Sequence, residues 1–438
     1  MATRPEIPVL SLFPPGARVN RKGHLVLGGG DTLALAEEFG TPLYVFDERG
    51  LRDRCAEFKK EFGRRYADVT VLYAAKAFTP RAMLALVKEE GLGLDVVSGG
   101  ELGIARSVDF PMNMVSFPGN NKSAEELKMA LEYGIGHIVV DNFHELNLLR
   151  GMAGRKKASI LLRLSPGIDA HTHKYNTTGT VDSKFGFTRS TWEEALTTAR
   201  GEPNLKVDGL HFHIGSGIFE TEPYRKSIEV VLEFAAAMKK KHGFVTKVLS
   251  VGGGYGVPYT LEAEPPSVSA WAELITGELT GQCRRLGLSL PGLIIEPGRA
   301  IVARAGVALY RVGAIKDIPG IRRYVSVDGG MGDNIRHAMY GARHEAVLAN
   351  RARAEATDLV TISGKYCESG DILITDIKLP PVEAGDLLAV ADCGAYCVPM
   401  QSNYNASFRP AIIFVRDGKA RLVRRRETLE DLTRCDLI

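Results

Sequence analysis

The stretch 247–256, KVLSVGGGYG, decides the fold because it joins a short apolar run to three consecutive glycines. A run of this length, bounded by glycine, is typical of a buried strand in a parallel sheet covered by helices on both faces. Two other runs have the same form: VDGLHFHI at 207–214 precedes GSG, and LIIE at 293–296 precedes PGR. Each strand is therefore expected to end in a glycine-containing turn near polar side chains.

Outward from this stretch, short apolar runs alternate with helical patterns. We count eight runs, at 71–75, 94–97, 114–117, 138–141, 159–164, 207–214, 247–251 and 293–296. Between them, SAEELKMALEYG at 123–134 has the Ser-Glu spacing of a capping box and a closing glycine, and 224–241 and 268–286 are amphipathic. Eight β/α units over about 250 residues predict a TIM barrel, although a doubly wound sheet could also hold eight strands.

After residue 300 the pattern changes to strand-like alternation and long helical patterns nearly vanish. The predicted fold class is thus α/β: a (β/α)8 TIM barrel plus a mostly β C-terminal domain. We expect an N-terminal segment at 1–44 that packs with the C-terminal domain, a barrel at 45–298 and a β domain at 299–438.

Composition excludes several classes of protein. The 438 residues suggest two domains, and 45% apolar with 24% charged residues excludes a wholly disordered chain. The net charge of +3, without a broad basic face, gives no reason to expect nucleic acid. The apolar runs are too short to predict a membrane span, and the N-terminus is a poor secretory signal. Six cysteines predict reduced thiols and a cytoplasmic protein.

Four features with possible chemistry follow the predicted strands. Lys76 follows the first run, His213 ends the sixth, Gly252–Gly254 follow the seventh and Glu296 ends the eighth. Each alone has an ordinary explanation: a solvated lysine, a core histidine, a tight turn, or an ion pair with Arg299. Together they lie where TIM barrels build active sites, and three glycines let backbone N–H groups approach a phosphate.

One cofactor uses all four features. Pyridoxal 5'-phosphate needs a lysine for covalent attachment, a phosphate cradle, a group at the pyridine nitrogen and a surface against its ring. A carboxylate at the ring nitrogen keeps that nitrogen protonated, because opposite charges stabilise each other. The pattern therefore favours chemistry through a carbanion, such as loss of carbon dioxide from an amino acid.

The sequence resembles the fold-type III pyridoxal-phosphate decarboxylases, and within them the branch that acts on meso-diaminopimelate. The resemblance covers about residues 20–430. It rests on the motifs YAAKA, DVVSGGEL, FPGNNKS, THKYNTTGTVDSKFGF, HFHIGSG, GGGYG, EPGRAIV, VDGGMGDNIRHAMYGARH, YCESGDIL and GAYCVPMQSNYNASFRP.

The resemblance implies a role for each cofactor residue. Lys76 would form the Schiff base, His213 would stack on the ring and Glu296 would face the pyridine nitrogen. The phosphate would be held by Ser216, Tyr396 and the three glycines Gly252, Gly253 and Gly254.

It also implies a site shared between the two subunits of a homodimer. Cys367 and Glu368 would enter from the partner chain, Cys367 as proton donor and Glu368 near the distal ammonium of the substrate. Arg299, Arg336 and Tyr340 would bind the distal carboxylate, and Tyr396 would lie beside the substrate. An arginine suits this task because its planar fork binds a carboxylate bidentately, and Tyr340 lies one helical turn after Arg336.

The sequence departs from the family pattern at several positions. His337 replaces a usual proline, Arg343 a usual aromatic residue, Gly217 a common glutamine and Cys397 a common glycine. The first three bear on the identity of the substrate rather than on the reaction class. Cys393 and Cys397 could suggest a metal, but no second ligand pair accompanies them, so no metal is predicted.

Four functions remain open from the sequence. The first is decarboxylation of meso-diaminopimelate to L-lysine, and the second is decarboxylation of another carboxylated diamine or biosynthetic intermediate. The third is an alanine-racemase-like enzyme, which Glu296 disfavours because such enzymes place arginine at the pyridine nitrogen. The fourth is a catalytically silent binding relative, which the presence of Lys76 and Cys367 disfavours.

Overall fold

The computed structural model describes residues 7–152, 157–169 and 182–438. Most of the motif THKYNTTGTVDSKFGF, at 172–187, therefore lies outside the described residues. The chain divides into two compact units. The barrel unit comprises Arg54–Gly256 and Glu264–Ala300, and the β unit comprises the described residues up to Asp53 together with Val257–Ala263 and Ile301–Ile438.

The strands of the described residues are numbered β1 to β20 in chain order. They are Arg18–Val19, Leu25–Leu27, Gly30–Asp31, Leu43–Asp47, Val69–Ala74, Gly93–Asp95, Val115–Phe117, His137–Val140, Ala158–Arg163, Leu205–His211, Val248–Ser250, Gly292–Ile295, Gly306–Ile318, Arg322–Val327, Ala346–Leu348, Asp358–Ser363, Ile372–Leu379, Leu387–Val390, Ala411–Arg416 and Lys419–Arg424.

The helices of the described residues are numbered α1 to α12. They are Thr32–Phe39, Glu48–Gly63, Arg81–Glu89, Gly99–Arg106, Ala124–Tyr133, Phe143–Met152, Trp192–Gly201, Glu222–His242, Val268–Leu286, Arg299–Val302, Arg336–Tyr340 and Leu429–Thr433. Within the described part of the chain, no helix combines the length and the apolar character needed to span a bilayer.

The barrel unit contains a closed sheet of eight parallel strands, β5 to β12. The circle closes where β12 pairs with β5, with Leu293 opposite Val69. This closure confirms the TIM barrel and excludes the doubly wound sheet. Buried side chains from four of the strands form one cluster: Leu72, Val139, Leu161 and Ile294.

The predicted helix signals are confirmed. Ser123 caps α5 in a full capping box with Glu126, and Gly134 ends the helix in the left-handed conformation, with φ of 65°. The two amphipathic stretches form α8 and α9, and α9 begins and ends at the predicted residues.

The β unit is built on a mostly antiparallel sheet in the order β17-β16-β14-β13-β4-β19-β20. β4, from the N-terminal part of the chain, lies between β13 and β19, antiparallel to the first and parallel to the second. Its core includes the fully buried Leu43, Val307, Leu387 and Ile413. The mostly β character predicted after residue 300 is therefore confirmed.

Candidate active site

The barrel places the predicted cofactor residues at one end, because its strands all run in the same direction. Lys76 lies in the short turn after β5, and His213 follows β10. The glycine run Gly252–Gly254 follows β11, and Glu296 directly follows β12. Residues far apart in the sequence therefore meet at the carboxyl ends of the strands.

These strand ends surround a cavity of about 380 Å³ in the barrel unit. It is lined by Lys76, Val97, Pro118, Gly119, Asn120, Asn121, Lys122, Arg163, Phe185, His211, His213 and Glu296. Three of the predicted residues thus share one cavity, of a size suited to a small cofactor with its substrate.

Glu296 is a buried carboxylate with two neighbours that stabilise its negative charge. The hydroxyl of Ser250 donates a hydrogen bond of 2.7 Å to Oε1, and Nε2 of His211 lies 3.2 Å from the same oxygen. Burial alone would raise the pKa of Glu296, but His211 and Ser250 outweigh it and hold this pKa below its usual range. Glu296 is therefore ionised at neutral pH, as the cofactor prediction requires.

Lys76 pairs with a carboxylate that the sequence analysis did not single out. Its Nζ lies 3.3 Å from Oδ2 of Asp95, at the end of β6, and Asp95 is fully buried. Burial and the nearby charge of Glu296 raise the pKa of Asp95, whereas Lys76 lowers it. Oδ1 of Asp95 has no hydrogen-bond partner among the described residues. The amine is thus held at the cavity by a carboxylate of the neighbouring strand.

The glycine run passes so close to its neighbours that side chains are excluded. A Cβ on Gly253 would lie 2.0 Å from the carbonyl oxygen of Glu296, and one on Gly252 would lie 2.7 Å from Nδ1 of His213. Gly252 and Gly254 also have positive φ, at 71° and 111°. The bare backbone of the run can therefore approach an anion closely, although the N–H groups of Gly252 and Gly253 already donate hydrogen bonds to Oγ of Ser250 and Nδ1 of His213.

His213 is half-buried, in surroundings that favour the neutral form of its ring. Its Nδ1 accepts a hydrogen bond of 3.2 Å from the backbone N–H of Gly253, so a neutral ring carries its hydrogen on Nε2. Burial, reinforced by the positive charges of Lys76 and Arg163, holds the pKa of His213 well below its usual range. A neutral flat ring is suited to stacking, the role predicted for it.

Ser216 and Arg299 contact each other within the barrel unit. Nε and Nη2 of Arg299 lie 3.3 and 3.2 Å from Oγ of Ser216. The serine predicted to hold phosphate and the arginine predicted to hold the distal carboxylate are therefore neighbours, and their two roles stay predictions.

A second ion pair in the cavity wall was also missed by the sequence analysis. Arg163, at the end of β9, lies 3.2 Å from Asp141 and stacks on the ring of Phe185, with 4.3 Å between the guanidinium carbon and the ring centroid. Asp141 also accepts a hydrogen bond of 2.7 Å from the backbone N–H of Gly186. The available signal was a charged residue inside an apolar run, in SILLRL and IVVD.

The loop of the FPGNNKS motif is held by a buried lysine. Nζ of Lys122 binds the carboxylate of Glu145 at 3.0 Å and the carbonyl oxygens of Gly119 and Val139 at 2.6 and 2.9 Å. Glu145 also accepts a hydrogen bond from the backbone N–H of Lys122. This clamp keeps the loop as one wall of the cavity.

The other five predicted residues lie in the β unit: Arg336, Tyr340, Cys367, Glu368 and Tyr396. Arg336 and Tyr340 are the first and last residues of α11, so they lie one turn apart as the sequence predicts. Arg336 is buried, at 5% exposure. Tyr396 has a positive φ of 62°, in the turn after β18. Their roles toward cofactor and substrate stay predictions.

Cys367 and Glu368 are exposed on the loop between β16 and β17. The backbone N–H of Cys367 donates a hydrogen bond of 3.2 Å to the side chain of Asn405, and the hydroxyl of Tyr404 donates to the carboxylate of Glu368. The loop is therefore anchored while both predicted side chains remain at the surface of the unit.

Two departures from the family pattern have partners in the β unit. Nδ1 of His337 lies 3.0 Å from the carbonyl oxygen of Ala342. The buried thiols of Cys393 and Cys397 contact the two ends of one side-chain amide, that of Asn334, at 3.8 and 3.4 Å. The cysteine pair is thus part of a packed polar cluster.

The barrel cavity fits the predicted cofactor in its chemistry. A buried Glu296 whose pKa is lowered suits a protonated pyridine nitrogen, and the glycine run carries no side chain that would keep a phosphate away. Lys76 supplies an amine at the same cavity. These donors and acceptors match the groups that pyridoxal phosphate presents.

Comparisons with known proteins agree with this chemistry. The sequence profile of the pyridoxal-dependent decarboxylase family, pyridoxal binding domain, matches residues 48–303. The chain is 48% identical to diaminopimelate decarboxylase of Bacillus subtilis over 425 residues, covering 96% of this chain and 97% of that protein. It is 43% identical to the Synechocystis protein of the same name, covering 98% and 94%.

Two solved structures similar to this chain are also diaminopimelate decarboxylases. The crystal structure of diaminopimelate decarboxylase from M. jannaschii is similar with a TM-score of 0.91 and 33% identity, covering 97% of this chain and 98% of that one. The Helicobacter pylori enzyme, solved in complex with L-lysine, is similar with a TM-score of 0.85 and 32% identity, covering 92% and 98%.

Proposed function

The chain belongs to the pyridoxal-dependent decarboxylase family, and from this membership we propose that it converts meso-2,6-diaminopimelate to L-lysine and carbon dioxide. The similar proteins named above are diaminopimelate decarboxylases matched over nearly their whole length. A decarboxylase, rather than a racemase or a silent relative, is the function that this membership supports.

The single observation that carries the reaction class is the buried carboxylate of Glu296, held by Ser250 and His211, at the cavity that also contains Lys76. When bound, pyridoxal phosphate supplies an electron sink for the carbanion left by loss of carbon dioxide. Glu296 would hold a proton on the ring nitrogen, because its negative charge is stabilised by His211 and Ser250. Without that charge the sink would be weaker.

The remaining barrel residues would hold the cofactor. Lys76 would attach it covalently, and His213 would pack its neutral ring against the cofactor ring. The glycine run Gly252–Gly254, together with Ser216 and Tyr396, would bind the phosphate. The positive φ angles and the close packing of the glycines support this assignment.

The distal end of diaminopimelate is itself an amino acid, so a specific site needs cations for its carboxylate and an anion for its ammonium. Arg299, Arg336 and Tyr340 would bind the carboxylate, and Glu368 would bind the ammonium. The burial of Arg336 supports this, because a guanidinium out of water gains most from a carboxylate partner.

We also propose that the enzyme is a homodimer with shared sites. Cys367 and Glu368 would enter the barrel cavity of the partner chain. There the thiol of Cys367 would deliver a proton to the carbon that has lost carbon dioxide. The exposure of both residues supports a role toward another chain.

A cytoplasmic location is part of the same proposal. All six cysteines are free thiols, and four of them are buried. Buried thiols are chemically inert and common in proteins of reducing compartments.

The test of the proposed reaction is a substrate panel with detection of carbon dioxide and mass analysis of the product. We expect diaminopimelate to yield lysine, whereas lysine and ornithine, which lack the distal carboxylate, should be poor substrates. A buried arginine left without its partner costs several kcal/mol. Preference for lysine or ornithine would refute the assigned substrate and leave the reaction class intact.

The shared site is tested by subunit exchange between two inactive variants, Lys76→Ala and Cys367→Ala. Each mixed dimer would have one site with both lesions and one with neither. Random equal mixing makes half of the dimers mixed, so about a quarter of native activity should return. Exchange must be verified by tagging one variant. Verified exchange without recovered activity would place Cys367 outside a shared site.

A further inference from the structure

Arg336 is a buried cation that forms no direct ion pair with a described carboxylate, although the negative charge of the buried Asp392 acts on it from farther away. Arg336 is 5% exposed, and within the described residues no carboxylate oxygen lies within the 4.0 Å of an ion pair. Its single side-chain hydrogen bond there joins Nη1 to Nε2 of His344, at 3.4 Å. Because a buried charge without a direct ion pair is costly, the other groups that contact this guanidinium contribute to its stability.

Tyr259 supplies an aromatic face for this guanidinium. The guanidinium carbon of Arg336 lies 4.2 Å from the centroid of the Tyr259 ring, well inside the range of a cation–π interaction. Tyr259 lies on Val257–Ala263, a short segment that follows the glycine run in sequence and belongs to the β unit. The ring therefore fixes one face of the planar guanidinium.

His344 fixes the guanidinium from its edge. The ring of His344 is buried and packs edge-on against that of Tyr259, with centroids 5.6 Å apart and an interplanar angle of 88°. Its Nδ1 lies 3.1 Å from the carbonyl oxygen of Ala391, which can only accept. Nδ1 therefore carries the hydrogen, and Nε2 of a neutral ring is the acceptor that faces Nη1 of Arg336.

We propose that Tyr259 and His344 are positioning residues that orient Arg336 for the distal carboxylate of the substrate. Tyr259 contacts the face of the guanidinium, and His344 accepts a hydrogen bond from one N–H of Nη1. The other edge of the guanidinium therefore keeps a pair of N–H donors, which can bind a carboxylate bidentately. This inference rests on the proposed function, in which Arg336 binds that carboxylate. It adds two residues that determine specificity without touching the reacting carbon.

The test compares Tyr259→Leu with its matched control Tyr259→Phe, which keeps the ring and removes only the hydroxyl. Loss of a desolvated cation–π contact should raise KM for diaminopimelate by roughly 10- to 30-fold, with kcat nearly unchanged. Tyr259→Phe should keep KM within about threefold of the native value. The KM of His344→Gln, which retains an acceptor oxygen, should lie between the KM values of Tyr259→Phe and His344→Phe.

A binding measurement separates positioning from general damage. Calorimetry with pimelate, an unreactive dicarboxylate, should show weaker binding to Tyr259→Leu, whereas binding of cadaverine, a diamine of similar length without a carboxylate, should be unchanged. Equal loss for both ligands, or a native pimelate affinity in Tyr259→Leu and His344→Phe, would overturn the proposal.

Arg336→Met distinguishes this inference from the function on which it rests. If Arg336→Met loses the preference for pimelate and Tyr259→Leu keeps it, the positioning role is wrong and the substrate assignment stands. If the native enzyme does not decarboxylate diaminopimelate, the proposed function itself fails. The unfolding temperature of every variant must be measured alongside the binding data. If Tyr259→Leu does not fold, His344→Gln replaces it in the binding measurements.

Discussion

Replacing Gly253 by alanine should damage the active site through a steric effect that can be worked out from the backbone alone. The added Cβ would lie 2.0 Å from the carbonyl oxygen of Glu296 and 2.9 Å from its carbonyl carbon. Both are backbone atoms, so no side chain can rotate away. The φ of Gly253 lies outside the left-handed region, so the clash rather than backbone strain is the whole effect.

The required displacement sets the expected size of the effect. Carbon and oxygen atoms without a bond need about 3 Å or more between them, so the glycine run and the Glu296 backbone must separate by about 1 Å. A misplacement of about 1 Å in an active site costs on the order of 10²-fold in rate. Overpacking of this kind also destabilises a protein by about 1–3 kcal/mol.

The assay measures three quantities on Gly253→Ala: kcat for diaminopimelate, the dissociation constant of pyridoxal phosphate and the unfolding temperature. We expect all three to worsen, because the clash moves the predicted phosphate loop and Glu296 apart. The control is Gly281→Ala in α9, where an added Cβ meets nothing within 4 Å. That change should be neutral or stabilising by about 0.5–1 kcal/mol, since glycine weakens a helix interior.

One result would refute this reasoning. If Gly253→Ala keeps native activity and native cofactor affinity, the close approach of the two backbone segments is not part of the site. If Gly253→Ala lowers only the unfolding temperature and leaves the affinity for pyridoxal phosphate unchanged, Gly253 is needed for packing, and the glycine run does not bind the phosphate.

Three further predictions concern the ionisable residues of the cavity. Lys76→Ala should abolish turnover without unfolding the protein, and peptide mapping after borohydride reduction of the native enzyme should find the cofactor on Lys76; a label on another lysine contradicts the assignment. Glu296→Gln should lower kcat by ~10²–10³, with a smaller loss in Ser250→Ala, which keeps the charge; near-native turnover in steady-state assays would remove Glu296 from this role. Burial lowers the pKa of folded His213, so the unfolded chain binds more protons below about pH 6.5, and stability should fall as pH falls from there. Glu296, whose folded pKa is also lowered, should add to this loss below about pH 4.5. Unfolding temperatures measured against pH should show both effects, and a slope unchanged in His213→Gln would exclude His213 as a cause.

The barrel was predictable because its signal is local and repeated. Each apolar run is short and ends near glycine or a polar residue, and a parallel barrel places every such end on the same side. Lys76, His213 and Glu296 could therefore be assigned to one cavity from their positions after runs one, six and eight. The capping box at Ser123 was equally local, since its partners lie three residues apart.

The charged residues inside the apolar runs could not be assigned in the same way. Asp95 and Arg163 occupy positions where the pattern predicts only a strand, and their meaning depends on what faces them. Their partners Lys76 and Asp141 lie just after the neighbouring strands β5 and β8, 19 and 22 positions away. Burial of a charge is stable only with such a partner, so the pairs are visible only once the barrel has closed.

The sequence by itself determined where the barrel strands lie along the chain, the strand ends that carry chemistry and the residue types offered there, because periodicity and glycine placement act over a few residues. Tertiary structure alone decided the charge of Glu296, the tautomer of His344 and the orientation of Arg336. Each depends on neighbours from other elements at 2.7 to 4.2 Å. Electrostatic and hydrogen-bond energies change steeply over such distances, and no pattern along the chain records them.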